Sequence, residues 1–242
     1  MRLTRLFVSA ELQTGQQILL DSDRSHYLVN VLRLRVDTPL IIFNGQGGEY
    51  HATVAEIKKK QAYLTIERFD PISRESTLRL HLVQAISKPE HMDYAIQKAV
   101  ELGVTHITPL LTKRSPPLAK NRFEKREQHW QKIIQNACEQ CGRTVLPSIG
   151  NIISFDKWID QNPAQNSVFF MPHAEQNLTQ SVTPEETIQL IIGAEGGFSD
   201  EEIALLTQKG HQAAHLGARI LRTETAAVTV LSLCQGFWGD LN

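Results

Sequence analysis

Between residues 39 and 69 short apolar segments separated by polar and turn residues read as strands. In "PLIIFNGQGGEYHATVAEI" an Asn-Gly pair separates two apolar segments, a hairpin signal, and "QAYLTIERF" alternates cleanly after it. A short helical patch, "SHYLVNVLRL", interrupts the earlier strands. Residues 1–72 therefore read as a small β-barrel module, and the polar, Pro71-containing stretch "RFDPISREST" as its boundary. From residue 78 the texture changes. "LRLHLVQAI" and "THITPLL" read as strands on either side of "KPEHMDYAIQKAVELG", whose apolar positions 92, 95, 96, 99 and 102 recur at helical spacing before the stop at Gly103. A long helix is predicted from an Asn121/Glu124 capping box to Gly142, then strands at "SVFFM" and "TIQLII", a helix over 200–209, a strand over 212–216 and a final helix, "TAAVTVLSLCQGFW". Strands separated by helices predict a mostly parallel α/β sheet over residues 73–242, a class in which ligands lie beyond the carboxyl ends of the strands.

That geometry selects the loops that end three predicted strands: "MPHA" (171–174), "GAEGGF" (193–198) and "LGARILRTETA" (216–226). If the three strands are neighbours, the loops converge on one crevice. Within "IIGAEGGFSDEE", an apolar strand runs into a glycine turn, and Ser199 with Glu202 makes a capping box for the next helix. Glycine turns at such junctions usually hold phosphate, but this one carries Glu195 and meets no Lys or Arg until Lys209. A carboxylate there repels phosphate and suits a cation, a ribose hydroxyl or an amide; alternatively it caps the helix, where its charge is favoured by ~0.3–1 kcal/mol. The chain contains no G-x-x-x-x-G-K-[ST], no G-x-G-x-x-G after a strand and no G-x-S-x-G, which argues against a P-loop, a Rossmann dinucleotide site and a serine hydrolase of the elbow type. Cys138-x-x-Cys141 falls inside a predicted helix with the third cysteine, Cys234, far away, and no metal is expected.

Charge changes the picture through its distribution. The net charge of −1 argues against a polyanion partner, yet residues 71–150 carry twelve Lys/Arg against seven Asp/Glu, and residues 151–242 four against eleven. Such a polarised surface binds polyanions even near neutrality. Three cysteines in 242 residues fit a reducing cytosol, and neither a signal peptide nor a membrane span is expected, so the expected location is cytoplasmic.

The set "KPEHMDYAIQKAVELGV", "PLLTKRS", "EQCGRTVLP", "IGAEGGFS" and "LGARILRTETAA" resembles the RsmE family, bacterial 16S ribosomal RNA uridine-N3 methyltransferases of the SPOUT superfamily. The resemblance spans nearly the whole chain, and the "RLFV" and "HYLVNVLRL" patches resemble the family's PUA-like RNA-binding barrel. One departure is Ala194, where the family usually has proline. The resemblance implies a C-terminal trefoil knot that binds S-adenosylmethionine, a homodimer with active sites at its interface, and the small ribosomal subunit or its 16S RNA as partner. Cofactor contacts are then expected from Pro172, Gly193, Glu195, Gly196, Gly197, Leu216, Gly217, Ile220, Leu221, Thr223, Thr225 and Ala226. Arg222 is the candidate for stabilising a uracil anion or its phosphate; Glu224 is a base, an orienter of Arg222 or a helix cap. Arg114, Glu139 and Arg143 are expected at the substrate or an interface, and Arg2, Arg5, Arg33 and Lys88 at RNA. A non-catalytic RNA-binding assembly factor with the same fold is the alternative, as is methylation of another base or RNA.

Overall fold

The computed structural model describes residues 3–184 and 187–241, so Arg2 lies outside the described residues. In chain order the elements are β1 (Thr4–Phe7), β2 (Gln17–Leu19), α1 (Ser22–His26), β3 (Pro39–Phe43), β4 (Glu49–Lys58) and β5 (Gln61–Asp70). There follow β6 (Leu80–Ala85), α2 (Pro89–Glu101), β7 (His106–Leu111), α3 (Phe123–Cys141), β8 (Ser148–Ile149), β9 (Ile153–Ser154) and α4 (Phe155–Gln161). Then come β10 (Ser167–Phe170), β11 (Gln176–Asn177), α5 (Leu178–Ser181), β12 (Ile188–Ile192), α6 (Asp200–Gln208), β13 (Gln212–His215) and α7 (Thr223–Trp238). Two compact units result: the residues through Glu75 together with Cys138–Leu146, and Ser76–Ala137 together with the residues from Pro147 onward. The expected division at residue 72 therefore has a second part, because Cys138–Leu146 counts with the first unit.

The first unit is a five-stranded sheet in the order β1-β3-β4-β5-β2, antiparallel except for the β1–β3 pair. The Asn44-Gly45 signal lies in the β3–β4 connection, and Lys59 and Lys60, both at positive φ (48° and 69°), make the two-residue turn into β5. The alternating apolar positions Leu40, Ile42, Val54, Leu64 and Ile66 point into one core with Leu6 and Leu28. Charged groups close the rest. Glu49, 6 % exposed, is shared by Arg5 and by Arg74 at 3.1 Å. Burial raises the Glu49 carboxyl, but the two guanidinium groups outweigh it and hold the group below the usual range. Arg5 also donates to the Arg143 carbonyl at 3.0 Å, Arg143 donates to Glu75 at 2.8 Å, and Glu139 accepts from the Phe7 N–H and from Arg24, both at 2.9 Å. These bonds bind Cys138–Leu146 into the unit. Arg5→Ala would leave a buried carboxylate with Arg74 alone; thermal or urea unfolding should show a loss of about 3 kcal/mol.

The second unit is built on an eight-stranded parallel sheet in the order β11-β13-β10-β12-β6-β7-β8, with β9 also pairing β7. Every residue of β12 is buried, as a parallel strand covered on both faces requires. Helix α2 begins with Pro89 at its first position, and both bonds of the Ser199/Glu202 capping box form. The Asn121/Glu124 box does not form: Lys120–Arg122 make a 3₁₀ turn that runs into α3, and Glu124 accepts from Gln128 one turn on instead. Helix α7 starts two residues earlier than its apolar run, at Thr223. Strands β8, β9 and β11 and helices α4 and α5 were not anticipated; four of them are four residues or fewer, too short for a periodic signal.

Near the amino ends of the strands a row of polar side chains crosses the sheet. The Gln189 amide donates to His81 Nδ1 (3.2 Å), so His81 Nε2–H donates to Thr108 (2.8 Å), whose hydroxyl then donates to His106 Nε2 (3.2 Å). His106 Nδ1–H continues to Ser148 (2.7 Å), while on the other side His211 Nδ1–H donates to Ser167, which donates to Gln189 (2.8 and 2.9 Å). Each hydrogen has one place, and all three imidazoles are neutral. Burial, with His106 adding a smaller repulsion, pushes His81 down to about 3; burial pushes His211 down to about 4 and lowers His106. Unfolded histidine titrates near 6.5, so below that pH the unfolded chain takes up protons that the fold excludes. This stabilisation is whole above pH ~6.5 and shrinks as pH falls toward 3. The thermal midpoint should accordingly drop continuously between pH 7 and pH 4, and a flat profile would contradict the neutral row.

Candidate active site

Strands β13, β10 and β12 are adjacent in the sheet, and the three loops at their carboxyl ends meet around a cleft of about 410 Å³. From the first loop come Met171 and Pro172; from the second, Gly193 to Phe198; from the third, Leu216, Gly217 and Arg219 to Leu221, followed by Thr223 and Ala226 of α7. Ile192, Phe198, Ile203 and Phe170 form apolar walls. Local chemistry explains the shape. Gly197, at φ +70°, closes the turn by donating to the Ala194 carbonyl at 2.8 Å, so Ala194 sits in a hydrogen-bonded turn without needing a proline. A Cβ on Gly193 would lie 3.0 Å from Gly197 Cα, whereas one on Gly197 or Gly217 would meet nothing within 4 Å. The turn thus packs tightly on itself and leaves backbone exposed to the cleft.

Thr223 pins the other wall. Its buried hydroxyl donates to the Gly193 carbonyl at 2.6 Å and accepts from the Gln84 amide at 2.9 Å. Glu195 is docked on the start of α2, accepting from the Lys88 N–H and from His91 Nδ1, both at 2.9 Å. Burial raises its carboxyl, but these hydrogen bonds outweigh that and hold it below the usual range. Arg114 donates to the Gly196 carbonyl at 2.6 Å, so its guanidinium lies over the turn.

The expected cofactor residues are gathered here with the exception of Thr225, which is exposed on α7 and does not line the cleft. Arg222 is exposed at the N-cap of α7, and Glu224 lies in that helix's first turn; neither lines the cleft. Of the expected substrate residues, Arg114 reaches the cleft and Lys88 caps α2 with its side chain exposed. Arg33 is exposed in the first unit, at φ 54°. The structure does not present Arg5, Glu139 and Arg143 as surface groups. They are engaged in the ion pairs and hydrogen bonds of the first unit, and an arginine spaced among apolar residues gives no sign of a carboxylate partner remote in sequence. Sequence reading missed Arg219, Asp200 and the apolar walls, and it missed His91. The periodicity that put Met92 and Ala95 on the buried face of α2 could have placed His91 beside that face.

No group of three His, Cys, Asp or Glu among the described residues could hold a metal. Burial pushes the Cys138 and Cys234 thiols up to about 12. No described helix is long and apolar enough to cross a membrane.

A parallel sheet with a glycine-turn cleft at its carboxyl ends, following a small β unit, matches two family models: an RNA methyltransferase domain over residues 74–235 and an RNA methyltransferase PUA domain over 20–67. The fold is that of an RNA methyltransferase. Ribosomal RNA small subunit methyltransferase E of Buchnera aphidicola is 34 % identical from the Acyrthosiphon pisum strain (99 % of this chain, 95 % of that protein) and 36 % from the Schizaphis graminum strain (100 % and 99 %). A ribosomal RNA small subunit methyltransferase E from Neisseria gonorrhoeae, solved bound to S-adenosyl methionine, superposes with a TM-score of 0.92 at 33 % identity, covering 100 % of both chains. A Legionella pneumophila chain solved with the cofactor SAM gives 0.96 at 38 %, also covering 100 % of both. The chain belongs to the ribosomal RNA small subunit methyltransferase E family.

Two substitutions test the cleft's construction. Gly193→Ala forces backbone against backbone at Gly197, so cofactor affinity should fall at least tenfold by calorimetry. Thr223→Val strips the Gly193 carbonyl of its hydroxyl donor and leaves the Gln84 amide only its bond to the Ala85 carbonyl, which should lower folding stability by about 1–3 kcal/mol in urea titrations.

Proposed function

We propose that this protein transfers a methyl group from S-adenosylmethionine to uridine N3 in 16S ribosomal RNA of the small subunit. The observation that carries the reading is the cleft itself. Its backbone-exposing glycines, apolar walls and flanking carboxylates Glu195 and Asp200 suit adenine, ribose hydroxyls and a cationic sulfonium better than a polyphosphate. A volume of about 410 Å³ is in the range of small-molecule sites. Pro172, Gly193, Glu195, Gly196, Gly197, Leu216, Gly217, Ile220, Leu221, Thr223 and Ala226 would hold the cofactor. When bound, S-adenosylmethionine supplies an electrophilic methyl.

The residues around the cleft then have to manage one proton and one charge. Uracil N3 becomes a nucleophile when its imide proton leaves. Glu224 is the acceptor: its side chain is partly exposed in the first turn of α7, and its Oε2 takes no hydrogen bond from any described residue. Arg222, exposed and adjacent, stabilises the negative charge that develops on the base. The RNA is gripped by exposed basic groups, Lys88 and Arg114 in the basic part of the chain and Arg33 in the first unit, so affinity falls steeply with salt. A homodimer is part of this reading, supported by Ile220, an apolar side chain on the cleft loop that is 84 % exposed. So are a knotted path of the third loop and a cytoplasmic location.

The test is single-turnover methylation of small-subunit particles, with mass mapping of the RNA and cofactor calorimetry in parallel. Arg222→Ala should lower turnover on the order of 10²–10³-fold with cofactor affinity nearly unchanged. Glu224→Gln should lose turnover and the acidic limb of the pH profile, because an amide accepts no proton. No cofactor binding by the wild-type protein at millimolar ligand would remove the reading.

A further inference from the structure

Three elements bring three titratable groups together beside the cleft: Glu195 from the glycine turn, Glu224 from the first turn of α7 and His91 from the first turn of α2. His91 Nδ1 lies 2.9 Å from Glu195 Oε1 and 3.8 Å from Glu224 Oε2. The shorter contact is a hydrogen bond in which the imidazole donates, and a single Nδ1 hydrogen serves only one acceptor well. Glu195 therefore holds the donor and Glu224 Oε2 is left buried without a hydrogen bond, a costly state for a carboxylate unless it has a use. Without the imidazole Glu195 would keep only backbone donors, the Lys88 N–H and its own, and the two carboxylates would share their surroundings with no side-chain donor between them.

We propose that His91 is a positioning residue for methyl transfer: through one hydrogen bond it fixes the cofactor-side carboxylate Glu195 and leaves the partly exposed Glu224 side chain, the proposed proton acceptor, unconstrained by that donor. This rests on the function proposed above. His91 need not touch RNA or cofactor; it acts through the two glutamates. The tie also differs in kind from Thr223, whose hydroxyl joins the same two elements through a backbone carbonyl and leaves both carboxylates unconstrained.

The experiment compares His91→Ala, His91→Asn, Glu195→Ala and the double variant His91→Ala/Glu195→Ala with the wild type. S-adenosylmethionine affinity is read by calorimetry, kcat and KM on small-subunit particles by methyl incorporation. Loss of one charge-assisted hydrogen bond should weaken cofactor binding about tenfold in His91→Ala, with a fall in kcat as well. The amide of Asn can donate as Nδ1 does, so His91→Asn should return affinity and kcat to within about threefold of wild type. In the Glu195→Ala background, removing His91 should change affinity less than twofold, because the two act as one unit. Wild-type affinity and rate in His91→Ala, failure of the Asn variant to rescue, or independent effects of His91 and Glu195 would each overturn the inference. If His91→Ala does not fold, His91→Asn and Glu195→Ala decide it by the same thresholds. Absence of cofactor binding by the wild type would instead strike the proposed function, so the two failures are distinguishable.

Discussion

One hydroxyl decides where the cleft lies. Thr223 joins the Gly193 carbonyl to the Gln84 amide, and those two partners stand at the carboxyl ends of the neighbouring strands β12 and β6. The strand before Thr223, β13, lies on the far side of β10. The chain between them must therefore pass over the ends of β10 and β12 before α7 can begin, and residues 216–222 become the roof of the cleft. All three members of the junction are buried, so leaving any of them unpaired would be expensive. The loop can be rich in small and exposed residues because its two ends are fixed so firmly.

The two ends of the parallel sheet are finished in opposite ways. At the carboxyl ends, the glycine turns leave backbone open toward the cleft. Toward the amino ends, Ser148, His106, Thr108, His81, Gln189, Ser167 and His211 satisfy one another in a single direction. This neutral row ties five strands together in register, with the buried Nε2 of His211 at its end left without a hydrogen-bond partner among the described residues. Polar residues at both ends thus have different meanings, and the difference lies in whether their hydrogen-bonding capacity is used up inside the protein.

The same distinction governs the arginines. Arg5 and Arg143 spend their donors on Glu49, Glu75 and a backbone carbonyl, whereas Arg33, Arg219 and Arg222 remain exposed. A cation that already neutralises a buried carboxylate cannot be drawn to a phosphate without uncovering that carboxylate. The basic surface available for RNA is smaller than the count of basic residues in the chain suggests.

Local patterning determined much of this protein. The alternation in "QAYLTIERF", the helical spacing from Met92 to Ala99, the capping box of Ser199 and Glu202 and the glycines of "GAEGGF" each depend on residues a few positions apart, and each appears in the structure as read. Family motifs carried the class of chemistry and most of the cleft lining. Tertiary structure alone decided that β13, β10 and β12 are neighbours, that Cys138–Leu146 belongs with the first unit, and that His91 bonds Glu195 and stands 3.8 Å from Glu224 across more than a hundred residues of chain. The physical reason is common to all three. Hydrophobic period and turn chemistry are properties of adjacent residues, but the partner of a buried polar group is chosen by whichever strand or helix the sheet order brings beside it, and no spacing along the chain encodes that choice.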